Sequence, residues 1–403
     1  MVEKKVIPMN FIAISPIFPK YYYNFCDCLK KRGVTVLGIG DVPYASLNQE
    51  QKASFTEYCY VSNLENYDDL LKTVAYFIYK YGRIDSITSH NEYWLETEAR
   101  LRDDFNISNG MHGQNVKQVK LKTIMKEICQ KHHIPTAPYM KLTNFKKARA
   151  FARKIGYPVI VKPDYGMGAI HVHKMKNEVE LAHFYTMAHD HELMMEPYIE
   201  GTVETYDGLT NSQGDVLFET SMTFPIPLME IVNQRKDSIV IIQKEVPDDL
   251  RELGRRVLKA FPSQATFFHI ECYRQKKDQS LLVGEVNMRL PGSVTIEALN
   301  YLHHVDLYEM YAEMITTDTT TQHPTYDEYG VMVGRRDDQH YDYRLREIKY
   351  KYSNALVMQE KIPAVYSDVM GDLSLSAKFK NQTNMKQFIQ DCIRRTNNES
   401  PVF

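Results

Sequence analysis

The stretch TFFHIECYRQKKDQSLLVGEVNMR, residues 266–289, decides the reading of this chain. Two apolar, β-prone runs, TFFHIECY (266–273) and SLLVGEVN (280–287), flank the polar segment RQKKDQ, the pattern of a β-hairpin. Side chains alternate along a strand, so Glu285 and Asn287 share one face. A turn centred on Asp278 sets Glu271 directly opposite Glu285. Opposed side chains have Cβ atoms roughly 5 Å apart, and like charges there repel. Solvation at strand ends would relieve that repulsion, and a divalent cation would reverse its sign. Two carboxylates and an amide oxygen are hard donors of the kind Mg²⁺ takes, with positions left over for phosphates and water. Arg289, just past the second strand, is placed to stabilise a developing phosphoryl or carboxyl charge.

Outward from the hairpin, composition sets limits. The chain has 403 residues, enough for two or three domains, with 49 basic and 51 acidic side chains and a formal charge of −2. Such a balance gives no electrostatic case for nucleic acid or an anionic membrane. The six cysteines are scattered without a second pair at zinc-site spacing, which suits free thiols in a reducing compartment. No apolar run approaches the ~20 residues of a membrane span, and no secretory signal is visible. The expected location is cytoplasmic.

Residues 1–115 alternate strand-like and helix-like runs: NFIAIS (10–15), a helix over 21–33, VTVLGIG (34–40), a helix over 67–81, RIDSITSH (83–90) and a polar helix over 92–105. This alternation predicts a doubly wound parallel sheet. Gly38-x-Gly40 lacks the third glycine and the helix context of a dinucleotide loop. From about 116 the pattern changes to a helix over NVKQVKLKTIMKEICQKH, then the helix FKKARAFARKIG with Gly156 as its C-cap, and the strand–loop–strand run PVIVKPDYGMGAIHVHK. DDLRELGRRVLKAF (248–261) reads as an amphipathic helix leading into the hairpin.

Lys162 ends the strand PVIVK and precedes Tyr165, Gly166 and Gly168. Two glycines let backbone N–H groups approach an anion, and the lysine adds a point charge; a tight hairpin turn uses the same residues. The loop is not a Walker A motif. Glu196-Pro197-Tyr198 follows an apolar run and has the character of a hinge between two lobes; read alone it is a turn. His132-His133 and His303-His304 are adjacent pairs that point apart on a helix, His171 and His173 alternate after the glycine loop, and Arg335-Arg336-Asp337-Asp338 reads as a solvated turn.

Taken in order, Lys122 in LKTIMKEICQKHHIP, Lys162 with its glycine loop, MEPYIEG, Glu204 and E271…E285-V-N287-M-R289-L-P-G resemble the ATP-grasp superfamily, and within it the carboxylate–amine ligases of the L-amino-acid ligase and carnosine-synthase-like group. The resemblance implies a pre-ATP-grasp α/β domain over 1–115, one lobe with a lid loop over 116–192, a second lobe with the metal site over 193–320, and a part completing the grasp fold over 321–403. It implies that Lys122 and Lys162 contact ATP phosphates, that residues 165–169 form a lid, that Glu196, Pro197 and Tyr198 hold adenine, and that Glu204 holds ribose. Glu271, Glu285 and Asn287 would bind Mg²⁺ or Mn²⁺, and Arg289 would steady an acyl-phosphate. The implied reaction joins a small-molecule carboxylate and an amine, amino acids foremost, with release of ADP and phosphate. Other ATP-grasp chemistry, phosphoryl transfer among it, and a non-catalytic ATP sensor are the alternatives. The resemblance also places substrate pockets between the N-terminal domain and later loops, with Asn91, Glu92, Arg235 and Ser293 as unranked candidates. It allows a homodimer and names no general base. The loop after Lys162 lacks the serine usual in this group.

Overall fold

The computed structural model describes residues 9–166, 171–187, 192–292 and 294–395. Strands β1 (Asn10–Ile14), β2 (Thr35–Gly40), β3 (Glu57–Tyr60) and β4 (Ser86–Thr88) form an all-parallel sheet in the order β3-β2-β1-β4. The strands are nearly continuous apolar runs because helices cover both faces. Helix Tyr23–Lys31 places Phe25, Cys26 and Leu29 in one core, and helix Tyr67–Tyr81 places Leu70, Val74 and Phe77 in another. The sheet is therefore doubly wound, with its switch point between β1 and β4. Gly38 and Gly40 lie inside β2 against Phe55 and Tyr58, so they form no nucleotide loop.

The helix expected over 115–132 is broken. A short turn of helix ends near Val119, and a new helix, Lys122–Lys131, starts two residues on. Asp164 is the cause. Its carboxylate accepts from the Thr123 N–H (2.8 Å) and hydroxyl (2.7 Å), and its carbonyl from the Lys122 N–H (3.0 Å), so a distant strand end caps this helix N-terminus. Strands β5 (Met140–Lys141), β6 (Val159–Pro163), β7 (His173–Met175) and β8 (Leu193–Pro197) form an antiparallel sheet in the order β5-β8-β6-β7, backed by helix Phe145–Ile155. Gly156 follows that helix at φ 85°, a conformation that favours glycine.

An eight-stranded sheet completes the molecule: β9 (Gly201–Thr210), β10 (Val216–Phe224), β11 (Ser238–Ile242), β12 (Phe267–Gln275), β13 (Leu281–Asn287), β14 (Tyr329–Arg335), β15 (Leu356–Lys361) and β16 (Leu373–Phe379), in the order β13-β12-β9-β10-β11-β14-β16-β15. The segment after residue 320 thus adds three strands to the sheet that carries the hairpin. Its edge strand β13 is covered by the linker after helix Lys122–Lys131: the Val283 N–H donates to the Pro135 carbonyl (2.8 Å), and the Thr136 hydroxyl to the Val283 carbonyl (3.0 Å). Helix Asp248–Ala260 packs Leu250, Leu253 and Val257 on Tyr206, Phe268 and Ile270.

Arg335 and Arg336 are buried rather than on a solvated turn, and Arg336 donates to the carbonyls of Lys236 (3.1 Å) and Asp368 (2.8 Å), tying the loop before β11 and helix Ala364–Met370 to the end of β14. All six cysteines are unpaired, as expected. No helix among the described residues is long and apolar enough to cross a membrane.

The hairpin pairs Glu271 with Glu285 and His269 with Asn287, the register expected from a turn at Asp278, but by a device the sequence reading did not include. A bulge falls at Gly284, so Cys272 pairs with Val283 and Tyr273 with Leu282. Without the bulge, Val283 and Glu285 would share a face. With it, Leu281 and Val283 enter the helix-backed core while Glu285 and Asn287 turn to the opposite side. A Cβ on Gly284 would lie 2.7 Å from the Tyr273 ring. Gly284→Val is expected to lower stability by about 1–3 kcal/mol in urea unfolding, the cost of overpacking, and to weaken ATP binding measured by calorimetry.

Candidate active site

The cleft lies between the β6–β8 sheet and the face of β9, β12 and β13 that carries Glu271. Ile160, Pro197 and Ile199 line one wall, and Val203, Tyr273 and Met229 the other. This apolar slot ends at a cluster of charge formed by Lys122, Lys162, Glu271, Glu285 and Arg289. A flat apolar base and a polyanionic tail match that division.

At the charged end, Glu271 and Glu285 face each other across the hairpin, and the Lys122 Nζ lies 3.6 Å from Glu285. Burial alone would raise both carboxyl pKa values. For Glu271, His269 and then Arg289 outweigh burial and the group lies below its ordinary value; for Glu285 burial prevails over Lys122, and repulsion by Glu271 adds to it. Asn287 is 2% exposed, and neither its Oδ1 nor its Nδ2 has a hydrogen-bond partner. A buried amide left wholly unsatisfied is costly and calls for a ligand. Among the described residues no group of three or more His, Cys, Asp and Glu could hold a metal by itself. The donors present, two carboxylates and an orphaned amide oxygen, fit Mg²⁺ that takes its remaining positions from phosphate and water.

Behind Glu271 stands a relay that sequence reading missed. The His269 Nδ1 is 2.5 Å from the Asp207 Oδ1, its Nε2 is 3.3 Å from the Glu271 Oε1, and the Thr205 hydroxyl donates to the other Asp207 oxygen. Burial disfavours the imidazolium, but Asp207 and Glu271 outweigh it and lift His269 to about 9. The signal was present: His269 lies two residues before Glu271, on the same strand face.

The lysines are held by Glu196. Its Oε1 is 2.6 Å from the Lys162 Nζ, and its Oε2 is 2.8 Å from the Nζ of Lys126, which lies one helical turn after Lys122 and was not singled out. All three side chains are buried. Burial pushes the Glu196 carboxyl up, but Lys162 and Lys126 together bring it down to about 2. The same pairing raises Lys162 despite burial, whereas Lys126, deeper and repelled by Lys162, is lowered. The Glu196 side chain is thus a counter-ion rather than an adenine contact. The Tyr198 N–H is committed to the Pro158 carbonyl (3.0 Å), while Pro197 and Tyr198 both line the slot.

Glu204 requires a correction. On β9 it alternates with Val203, which lines the cleft, and so faces the opposite side of the sheet. Both its oxygens accept from Arg274 at 2.8 Å, and Arg274 also holds Asp249 (2.7 Å) of the covering helix. Its place is structural, and a ribose contact from there is excluded.

At the glycine loop, the Lys122 Nζ donates to the Gly166 carbonyl (2.9 Å), and the Tyr165 hydroxyl to Glu96 (2.9 Å) with Lys120 over its ring. Gly168 and Ser293 lie outside the described residues. Glu92, from the N-terminal domain, accepts from the Nε (2.9 Å) and Nη2 (2.7 Å) of Arg289. Asn91 caps the turn before Tyr93, and Arg235 pairs with Asp338 on an exposed surface. Among the described candidates, Glu92 bonds to Arg289.

A two-lobed cleft with paired lysines on one side and a carboxylate hairpin on the other defines a nucleotide-binding enzyme architecture, and the comparisons agree. Residues 118–296 match the family model "Carbamoyl-phosphate synthase L chain, ATP binding domain". The L-arginine-specific L-amino acid ligase of Bacillus subtilis is 25% identical over 248 residues, which span 60% of this chain and 60% of that protein. Among solved structures, the L-amino acid ligase from Bacillus licheniformis superposes with a TM-score of 0.70 at 14% identity, covering 95% of this chain and 96% of that one. The biotin carboxylase domain dimer of the Hydrogenobacter thermophilus 2-oxoglutarate carboxylase, in complex with MgADP, ADP and bicarbonate, gives 0.65 at 16% identity, covering 92% and 86%. Residues 118–296 thus carry an ATP-binding domain of the ATP-grasp kind.

Glu196→Gln would leave two buried ammonium groups without their counter-ion. Stability at neutral pH should fall by about 3–5 kcal/mol, the cost of breaking a buried pair from one side. Because the folded pKa of Glu196 is depressed, its contribution is complete above the unfolded value of about 4.3 and is lost as pH falls toward 2. Urea titrations of both proteins should therefore show the gap narrowing below about pH 4.

Proposed function

We propose that this chain is an ADP-forming carboxylate–amine ligase acting on amino acids. The observation that carries the reading is the position of Arg289: it lies at the charged end of the nucleotide cleft, two residues beyond the unsatisfied Asn287, and is held by Glu92 from another domain. A nucleotide binder needs the lysines and a metal. A guanidinium fixed beside them serves a group that gains negative charge during reaction.

ATP would lie with its base in the apolar slot and its phosphates against Lys122 and Lys162. Glu271, Glu285 and Asn287 would hold Mg²⁺, which when bound neutralises phosphate charge. A substrate carboxylate oxygen then bonds to the γ-phosphorus as the bond to the β,γ-bridging oxygen breaks, giving an acyl-phosphate and ADP. The amine nitrogen bonds to the acyl carbon, loses a proton and expels phosphate, leaving an amide. Arg289 faces the added charge on the acyl oxygen in the second step. Glu92 restrains the guanidinium with two hydrogen bonds, so little reorganisation is needed at that moment. The similarity to an enzyme named as an L-amino acid ligase supports amino acids as both substrates.

The test is ATP turnover with Mg²⁺ and pooled L-amino acids, separating ADP from AMP and weighing the products. ADP together with a condensed product is expected. AMP, or ADP with a phosphorylated amino acid as the end product, would overturn the reading. Glu285→Ala and Arg289→Ala should each lower kcat by about 10²-fold or more while the circular dichroism spectrum is retained.

A further inference from the structure

A second cavity, of about 50 Å³, sits beyond Arg289 outside the carboxyl end of β4 in the N-terminal sheet, bordered also by residues 109–111 and 264–267. Open α/β sheets bind ligands in that crevice. Arg289 lines both this cavity and the nucleotide cleft, so the two spaces share this residue. The strand end is conformationally unusual: His90, after β4, has a φ of 59°, a left-handed value uncommon for residues other than glycine. Such strain persists where surrounding structure enforces it, and it clusters at ligand sites.

His90 is the centre of the cavity's chemistry. Its ring stacks on Phe25 with centroids 4.0 Å apart and meets Tyr311 edge-on at 4.5 Å, yet its buried Nε2 has no hydrogen-bond partner. Burial lowers His90 to about 3, so the imidazole is neutral. The other ionic groups cancel. Arg102 is 2.9 Å from Glu98 and donates to the Met111 carbonyl (2.9 Å), while Glu98 also accepts from the Ser89 N–H (2.6 Å). Phe267 and Met288 supply apolar wall, and Thr88 borders the open space. The Arg102 Nε has no hydrogen-bond partner and offers a further donor, but the Arg102 charge is balanced by Glu98, so a charged side chain entering here would find no free counter-ion beyond Arg289. A bulky one would not fit, since each water-sized probe needs roughly 10–15 Å³.

We propose that this cavity receives the side chain of the carboxylate substrate and selects a small, uncharged amino acid carrying a hydrogen-bonding group, such as a hydroxyl or carboxamide, which pairs with the unsatisfied His90 nitrogen. The inference rests on the ligase reading for its substrate and on the cavity for its selectivity. The substrate carboxylate would lie at Arg289, facing the nucleotide, with its side chain directed away from the phosphates.

Two variants test this. Thr88→Met fills the cavity; His90→Asn removes the imidazole and enlarges it, and asparagine tolerates the left-handed backbone. Wild type and variants are offered L-serine, L-threonine, L-asparagine, L-aspartate, L-lysine and L-phenylalanine singly. One readout is the shift in melting temperature with MgADP. The other is hydroxamate formation with MgATP and hydroxylamine, in which the hydroxylamine nitrogen bonds to the acyl carbon and phosphate leaves. The wild type should be stabilised by, and turn over, one or more of the first three acids. Thr88→Met should raise KM for that acid about tenfold or more without changing KM for ATP, and His90→Asn should shift preference toward larger side chains. A wild type that prefers aspartate, lysine or phenylalanine, that no acid stabilises, or whose order of preference survives both variants overturns the pocket. Stabilisation by serine, threonine or asparagine that Thr88→Met abolishes supports the pocket even without hydroxamate, an outcome that would count against the ligase reading alone. Hydroxamate formed equally in all three proteins would leave the ligase standing and remove the pocket.

Discussion

Glu271 and Glu285 face one another on adjacent strands, and the rest of the site is arranged to make that tolerable. Two carboxylates in partial burial repel, and each needs positive charge within a few ångströms. The structure supplies it from several places in the chain: Lys122 from a helix N-terminus, His269 from the same hairpin, and Arg289 from the loop beyond it. Those cations have further partners in turn. Gly166 accepts from Lys122, Asp207 holds His269, and Glu92 holds Arg289. One local repulsion is thereby linked to both lobes and to the N-terminal domain.

The buried Lys162–Glu196–Lys126 triad serves a related purpose at the phosphate side of the cleft. Buried ion pairs contribute little net stability compared with apolar packing, but removing one member is expensive. Their value here is placement. Glu196 holds Lys162 in the cleft wall, with Lys126 buried on its other oxygen, so the cation is in position without a ligand. Asn287 is the complementary case, a buried amide with no partner in the protein. A site that is satisfied on its cation side and unsatisfied at its amide awaits a ligand that brings both negative charge and a hard cation.

Much of this was legible in the residues. The hairpin, its register at Glu271 and Glu285, the parallel N-terminal sheet and the helix over 67–81 follow from period and turn chemistry, which act over a few residues. The failures share a cause. The helix expected over 115–132 breaks because Asp164, about forty residues on, caps a new N-terminus at Thr123. Glu204 reads as a cleft residue until strand pairing places it on the face of Arg274. Arg335 and Arg336 look solvated in sequence because the carbonyls that bury Arg336 belong to residues 236 and 368. In each case the deciding partner is remote, and no local pattern carries it.

By itself, then, the sequence determined which chemistry was available: hard oxygen donors on one strand face, lysines at two element ends, and an arginine just past the hairpin. Those follow from side-chain type and from the two-residue period of a strand. The tertiary structure decided which of them meet. Only the Gly284 bulge turns Glu285 toward the cleft while keeping Val283 in the core, only the packing of helix Lys122–Lys131 on the β6–β8 sheet brings Lys126 and Lys162 to one carboxylate, and only the placement of the N-terminal sheet and its helices sets Glu92 on Arg289. The physical reason is one of range. Propensity and periodicity are set by neighbours along the chain, whereas charge balance in a buried site is set by whatever the fold brings within a few ångströms.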